Sequence, residues 1–277
     1  MRQGTVAARP SPLMVRIASG AVILLVSFGA ILSGRLGVNI LCLLLTGAML
    51  WEFRNLSDKM GSRAPTWLLY PLGFYIAFSG TYLKVIPLEL VLSIALIGGL
   101  MAFLFIPGRR EGLGRWAMGT AGALYIGLPM NFYLLLYSSG RHGLQWVVFV
   151  ILAAVATDVA ALLVGSRLGR TPFFQRISPK KTVEGAIAGV VGAVLVMVFG
   201  SLVALGLPLQ HAVAIGLLVG MGAEVGDLVE SQMKRIAEVK DTSNLIPGHG
   251  GVLDRFDSIL FPAILVYYYA LLGGLLR

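Results

Sequence analysis

The chain has 277 residues, 57% hydrophobic and only 13% charged, with a mean hydropathy of +0.85. An ordinary soluble domain is about 25% charged, so this composition excludes a water-soluble globule and calls for lipid as the solvent. The net charge of +9 would suggest nucleic acid in a soluble protein, but in a membrane protein it is the expected surplus of Lys and Arg in cytoplasmic loops, and nucleic acid is not an expected partner.

Nine apolar runs follow one another at about 15–33, 37–53, 66–83, 86–106, 116–137, 144–165, 184–206, 209–230 and 257–276. Their lengths suit membrane-spanning helices, and they lack the alternation a barrel strand needs. The basic lead of Arg2, Arg9 and Arg16 is like that of a signal peptide, but no small-residue cleavage site with a polar region behind it follows, so the first run is read as a membrane helix. Cys42 is the single cysteine, which excludes an intramolecular disulfide and a cysteine zinc site. With the N-terminus inside, all but four of the 22 Lys and Arg fall on the inner side, the exceptions being Arg35, Lys84, Arg141 and Arg277. The expected fold is all-α: a polytopic integral membrane protein of about nine transmembrane helices, N-terminus cytoplasmic, in the cell (inner) membrane. Residues 1–140 read as scaffold helices. Residues 141–277 read as the catalytic region, with cytoplasmic loops 166–183 and 231–256.

The sixth run carries Asp158. An acid there is costly unless it is paired, protonated or facing a polar cavity, though a structural hydrogen bond serves equally. Next, Gln175 to Gly185 holds Ser178 as an expected N-cap and Pro179 as the first residue of the seventh helix. Lys180 and Lys181, followed by Thr182, would then start that helix, and two lysines at its positive end are a conflict that an anionic phosphate resolves. Plain positive-inside charge is the alternative.

In the eighth run Glu224, Asp227, Ser231 and Lys234 share one helical face. They line a polar cavity, or they are helix-end acids paired with Lys234 and Arg235; Glu230 reads as a surface charge. Beyond it lies Lys240-Asp241-Thr242-Ser243-Asn244-Leu245-Ile246-Pro247-Gly248-His249-Gly250-Gly251-Val252-Leu253-Asp254-Arg255-Phe256-Asp257. Its glycines permit tight turns with backbone amides open to phosphate, and His249 is placed to touch substrate. Asp254 and Asp257, one turn apart, would otherwise only cap a helix. Together Asp227, Asp254 and Asp257 offer hard oxygen ligands suited to Mg2+, and Lys234, Arg235, Lys240 and Arg255 suit a polyphosphate. His142 and His211 read as ordinary helix-end residues.

The stretch from Ser231 to Asp257 strongly resembles the signature of the CDP-diacylglycerol synthase (phosphatidate cytidylyltransferase) family. Gly226-Asp227-Leu228, the Ser178 to Gly185 run, and Asp158 with Gly165, Arg167 and Gly169 are similar to that family too. Val183, Leu162 and Glu224 depart from it, where an aromatic residue, Tyr and Gln are expected. The resemblance implies transfer of a cytidylyl group from CTP to phosphatidic acid, giving CDP-diacylglycerol and pyrophosphate. It implies divalent-metal dependence, with a second cation such as K+ as an option, and metal ligands at Asp227 and Asp254 with Asp257 and Ser231 beside them. The expected catalytic group is thus Asp227, Asp254, Asp257, Lys234 and Arg235. Substrate contacts are expected from Ser178, Lys180, Lys181, Thr182, Ser231, Lys240, Asp241, His249, Gly250, Gly251, Arg255 and Asp158. The bilayer is a partner, and a homodimer is one option for assembly. The rival functions are a CTP-dependent lipid or polyprenol kinase and a cation-coupled transporter using Asp158, Glu224 and Asp227.

Overall fold

The computed structural model describes residues 12–83, 86–104 and 109–276. Arg2, Arg9, Lys84 and Arg277, counted in the charge balance above, lie outside the described residues. Each apolar run forms a helix, and no strand occurs among the described residues. The helices are α1 (Pro12–Leu32), α2 (Gly34–Lys59), α3 (Thr66–Ser79), α4 (Leu88–Leu104), α5 (Arg109–Tyr137), α6 (Gly143–Leu168), α7 (Val183–Gly200), α8 (Leu209–Ile236) and α9 (Leu253–Leu272). A π-helical turn, Ser201–Leu205, prolongs α7.

The protein is therefore an all-α, multi-pass membrane protein, as composition predicts. Among the described residues seven helices are long and apolar enough to cross a bilayer, and the other two of the nine expected, α3 and α4, have 14 and 17 described residues. At 1.5 Å per residue, α3 reaches about 21 Å against a hydrocarbon core of about 30 Å. It stops at Gly80, whose amide donates to Asn131 Oδ1 of α5 at 3.0 Å.

Two clusters of buried side chains hold the bundle. One joins α5 to α9 through residues such as Trp146, Val150, Met197, Ile215 and Val266. The other joins α2, α3, α5 and the start of α9 through Leu50, Phe53, Leu69, Ile76 and Leu260. Because α5 and α9 belong to both, the two halves share one interior. Apolar side chains such as Phe28, Leu195 and Leu202 point outward, as a lipid-facing surface requires.

Helix α8 lies between α7 and α9, and bare glycines allow both approaches. A Cβ on Gly220 would come within 2.7 Å of Val190 Cα on α7, and one on Gly226 would collide with the Asp257 carbonyl oxygen on α9. Gly226→Ala should force α8 and α9 apart at a cost of about 1–3 kcal/mol. Thermal unfolding in detergent should show a clear drop in Tm; an unchanged Tm would contradict this packing.

The start of α7 differs from the sequence expectation. Ser178 is not its cap and Pro179 is not its first residue. Thr182 is the N-cap, extended at φ −126°, ψ 152°, and its hydroxyl accepts from Gly185 N. The residues before it pair with 171–173 instead of coiling: Phe173 N donates to Lys181 O and Val183 N to Thr171 O, each at 2.9 Å. Those bonds take up groups that a helix starting at 179 would have used, so Lys180 and Lys181 precede the helix.

Candidate active site

A cleft of about 560 Å³ opens between α6, α7 and α8. Its polar lining includes Asp158, Lys180, Lys181, Thr182, Glu224 and Asp227, and its apolar lining Ala161, Leu162 and Ala186. Lys181 is the hinge of the polar part: its Nζ lies 2.6 Å from both Glu224 Oε2 and Asp227 Oδ2. Burial alone would lower the Lys181 pKa, but the adjacent Asp227 and Glu224 carboxylates outweigh it, and the net effect is a rise. Lys181 is therefore a fixed cation at neutral pH. Ser231 donates to Asp227 Oδ1 at 3.2 Å, so with the shared Lys181 contact Glu224, Asp227 and Ser231 lie together on α8, whereas Lys234, the fourth residue expected on that face, pairs with Glu230 and Asp254.

The acids of α8 and α9 meet one turn further along. Asp227, Glu230 and Asp257 each offer one oxygen within 4.8 Å of the others. This is not the expected trio of Asp227, Asp254 and Asp257. Asp254 stands beside that trio and shares Lys234 with Glu230: its Oδ1 accepts from Lys234 at 2.8 Å, and its Oδ2 accepts from Thr242 N, Thr242 Oγ1 and Gly251 N, all at 2.8 Å. Glu230, expected on the surface, is fully buried beside Lys234, which bridges it to Asp254. The sequence misplaced Glu230 because its helical position points between α8 and α9, and helix pairing is not written in local spacing. Glu230 Oε2 is ion-paired to Lys234, and its Oε1 is buried. Three hard oxygen donors gathered in this way could together hold a divalent cation.

Asp158 faces this group from α6, accepting from Ser258 Oγ at 2.8 Å, and Ser258 N donates to Asp257 Oδ1 at 2.7 Å. Ser178 stays in the turn before the cleft, where its carbonyl accepts from Lys181 N. Arg235 Nε donates to Ile177 O at 3.1 Å and ties the end of α8 to that turn. Glu184 braces the same loop, accepting from Arg170 N and from the amide and hydroxyl of Thr171.

Of the remaining expected contacts, Lys240, Asp241, His249, Gly250 and Gly251 lie on the loop before α9 and Arg255 in its first turn, and none is in the lining of the cleft. From residue 249 onward the amides there are taken up within the protein. His249 N and Gly250 N donate to Ile246 O, Gly251 N to Asp254, and Val252 N and Leu253 N to Glu52. Arg255 donates twice to His249 O. Two residues of α1 reach this loop: Arg16 Nε donates to Gly248 O at 3.1 Å, and Ser19 Oγ lies 2.8 Å from His249 Nδ1. The first 140 residues thus touch the loop they were expected only to support. One signal for Glu52 stood in the sequence, an acid inside Met49-Leu50-Trp51-Glu52-Phe53, since an ionisable group within a membrane helix marks a functional position.

Fold and cleft together define a membrane-embedded enzyme-like site, in which carboxylates and lysines gather beside an apolar wall. Residues 14–272 match the model of the Cytidylyltransferase family, and the chain belongs to that family. It is similar to the phosphatidate cytidylyltransferase of Bacillus subtilis (39% identity over 150 residues, 54% of this chain and 56% of the relative). It is also similar to that of Synechocystis sp. (43% over 162 residues, 56% and 54%). A third relative, the phosphatidate cytidylyltransferase of Staphylococcus saprophyticus, aligns at 29% identity over 252 residues, 89% of this chain and 95% of its own length. The chain spans about half the length of the first two of these relatives.

Proposed function

We propose that this protein transfers the cytidylyl group of CTP to phosphatidic acid, releasing pyrophosphate and forming CDP-diacylglycerol, at the cytoplasmic face of the cell membrane. One observation carries it: a charged cleft floor of Asp158, Lys181, Glu224 and Asp227 adjoins apolar walls that include Leu162, itself 70% exposed on the outer surface of the bundle. A lipid phosphate needs both environments within one molecule's length. The name shared by the three relatives supports the same substrates.

In the reaction a phosphate oxygen of phosphatidate attacks the α-phosphorus of CTP, the bond from that phosphorus to the bridging oxygen breaks, and pyrophosphate departs. Both reactants are anions, so the chief task is cancelling charge and aligning the attack. Mg2+ held by Asp227, Glu230 and Asp257 would supply positive charge to the phosphate oxygens. Lys181 fixes Asp227 in place, and Lys180 presents a cation at the same cleft. Lys234 locks Asp254 and Glu230 in register between α8 and α9. Because phosphatidate is already ionised at neutral pH, a strong general base is unnecessary.

The test is a product assay on purified protein in detergent with labelled CTP, phosphatidic acid and Mg2+. CDP-diacylglycerol and pyrophosphate in equal amounts are the expected products. Release of CDP with a phosphorylated lipid would identify a CTP-dependent kinase instead. Transport into liposomes that needs no CTP would identify a transporter.

A further inference from the structure

Glu52 lies within an apolar stretch of α2 and is fully buried, yet no ion pair among the described residues involves it. Its carboxylate is filled by four donors from a segment some 200 residues away in sequence. Oε1 accepts from Ser243 Oγ at 2.6 Å and from Val252 N at 2.8 Å. Oε2 accepts from Leu253 N at 2.6 Å and from Thr242 Oγ1 at 3.3 Å. Val252 and Leu253 begin α9, so Glu52 satisfies amides that no helical carbonyl reaches and places negative charge at the positive end of that helix. Asp254, from the opposite half, grips Thr242 and Gly251 in the same way. Two carboxylates, one from each half of the chain, therefore staple residues 242–254.

The bare Gly251 belongs to this device. A Cβ there would lie 2.7 and 2.8 Å from the two Glu52 oxygens and would also collide with the Thr242 hydroxyl. The glycine leaves room for a carboxylate arriving from α2, which is a different use from the phosphate cradle that its sequence suggests.

We infer that Glu52 is a positioning residue: it sets the start of α9, and through it the placement of Asp257 opposite Asp227 and of Asp254 against Lys234. This rests on the proposed reaction, since it is that reaction which requires those acids. The side-chain amide of Glu52→Gln would present a donor to Val252 N or to Leu253 N. The hydroxyls of Thr242 and Ser243 can rotate to suit it, but a backbone amide cannot. Glu52→Asp keeps the charge on a shorter arm, and Gly251→Ala pushes the carboxylate aside from the other direction.

The experiment measures three things on wild type, these variants and an exposed control on α4, Glu89→Gln: kcat and KM for CTP, hydrogen exchange along the chain, and thermal unfolding. Glu52→Gln should lose about tenfold to a hundredfold in kcat, as expected for loss of a charge-assisted hydrogen bond. Exchange should rise within 242–254 and not elsewhere. Glu52→Asp should recover part of the loss. Combining Glu52→Gln with Gly251→Ala should cost little more than the worse single change, because both break the same contact. Wild-type kcat and KM in Glu52→Gln, or exchange raised evenly through all helices, would overturn the inference by reducing Glu52 to a general packing residue. A wild-type protein that makes no CDP-diacylglycerol would instead overturn the proposed reaction, and the exchange pattern at 242–254 would then decide by itself whether Glu52 sets the loop.

Discussion

Asp227→Asn should abolish nearly all cytidylyl transfer, with a fall of roughly a thousandfold or more in kcat, while the protein still inserts and purifies. Asp227 is shared by both halves of the site: its Oδ2 holds Lys181 at 2.6 Å, its Oδ1 accepts from Ser231, and it belongs to the acidic trio with Glu230 and Asp257. A bound cation contributes several kcal/mol of charge stabilisation to phosphoryl chemistry, and each 1.4 kcal/mol is a factor of ten in rate. The steric change is almost nil, so the loss is one of charge. The measurement is the CDP-diacylglycerol assay at saturating CTP and Mg2+. Wild-type turnover in this variant would refute any role of Asp227 in holding a cation.

The second large effect is expected at Lys181→Met, and it falls on stability as well as activity. The long side chain keeps the volume but strips the counter-charge from Glu224 and Asp227, which share that one ammonium. Removing one partner of a buried ion pair costs about 3–5 kcal/mol. The low end applies here, because the Asp227 side chain keeps 26% of its surface exposed and water screens it. The signs also fix the pH behaviour. A lysine whose pKa is raised on folding contributes stability below its ordinary pKa of 10.5, and loses that contribution as the pH climbs through the raised value. The contribution should therefore be flat across the neutral range. Thermal unfolding of wild type and variant between pH 6 and pH 8 should show a constant gap in Tm (an order-of-magnitude window around neutrality, about two units wide). No gap would mean that the two carboxylates find another partner.

Different parts of the structure were legible in the sequence to different degrees. Spacing on α8 correctly placed Glu224, Asp227 and Ser231 together, because residues three and four apart share a helical face, but Lys234, expected with them, reaches Glu230 and Asp254 instead. The turn before α7 was misread, because pairing with 171–173 takes up backbone groups that a local capping rule assigns to the helix. Glu230 left its expected place on the surface for a related reason: which acids face the partner helix depends on the α8 and α9 crossing, and a bare Gly226 makes that approach close.

Composition and apolar length by themselves determined that the protein is helical and lives in a bilayer, since buried backbone in lipid has to satisfy its own hydrogen bonds. The motif residues by themselves determined which chemistry to expect. Only the tertiary structure decided that α3 is as short as 14 residues, that Glu230 turns inward, and that Glu52 from the first half closes over the start of α9. The physical reason is that a carboxylate's role follows from which donors reach its oxygens. For Glu52 and Glu230 the decisive neighbours include groups from other helices, so no pattern within one segment encodes them.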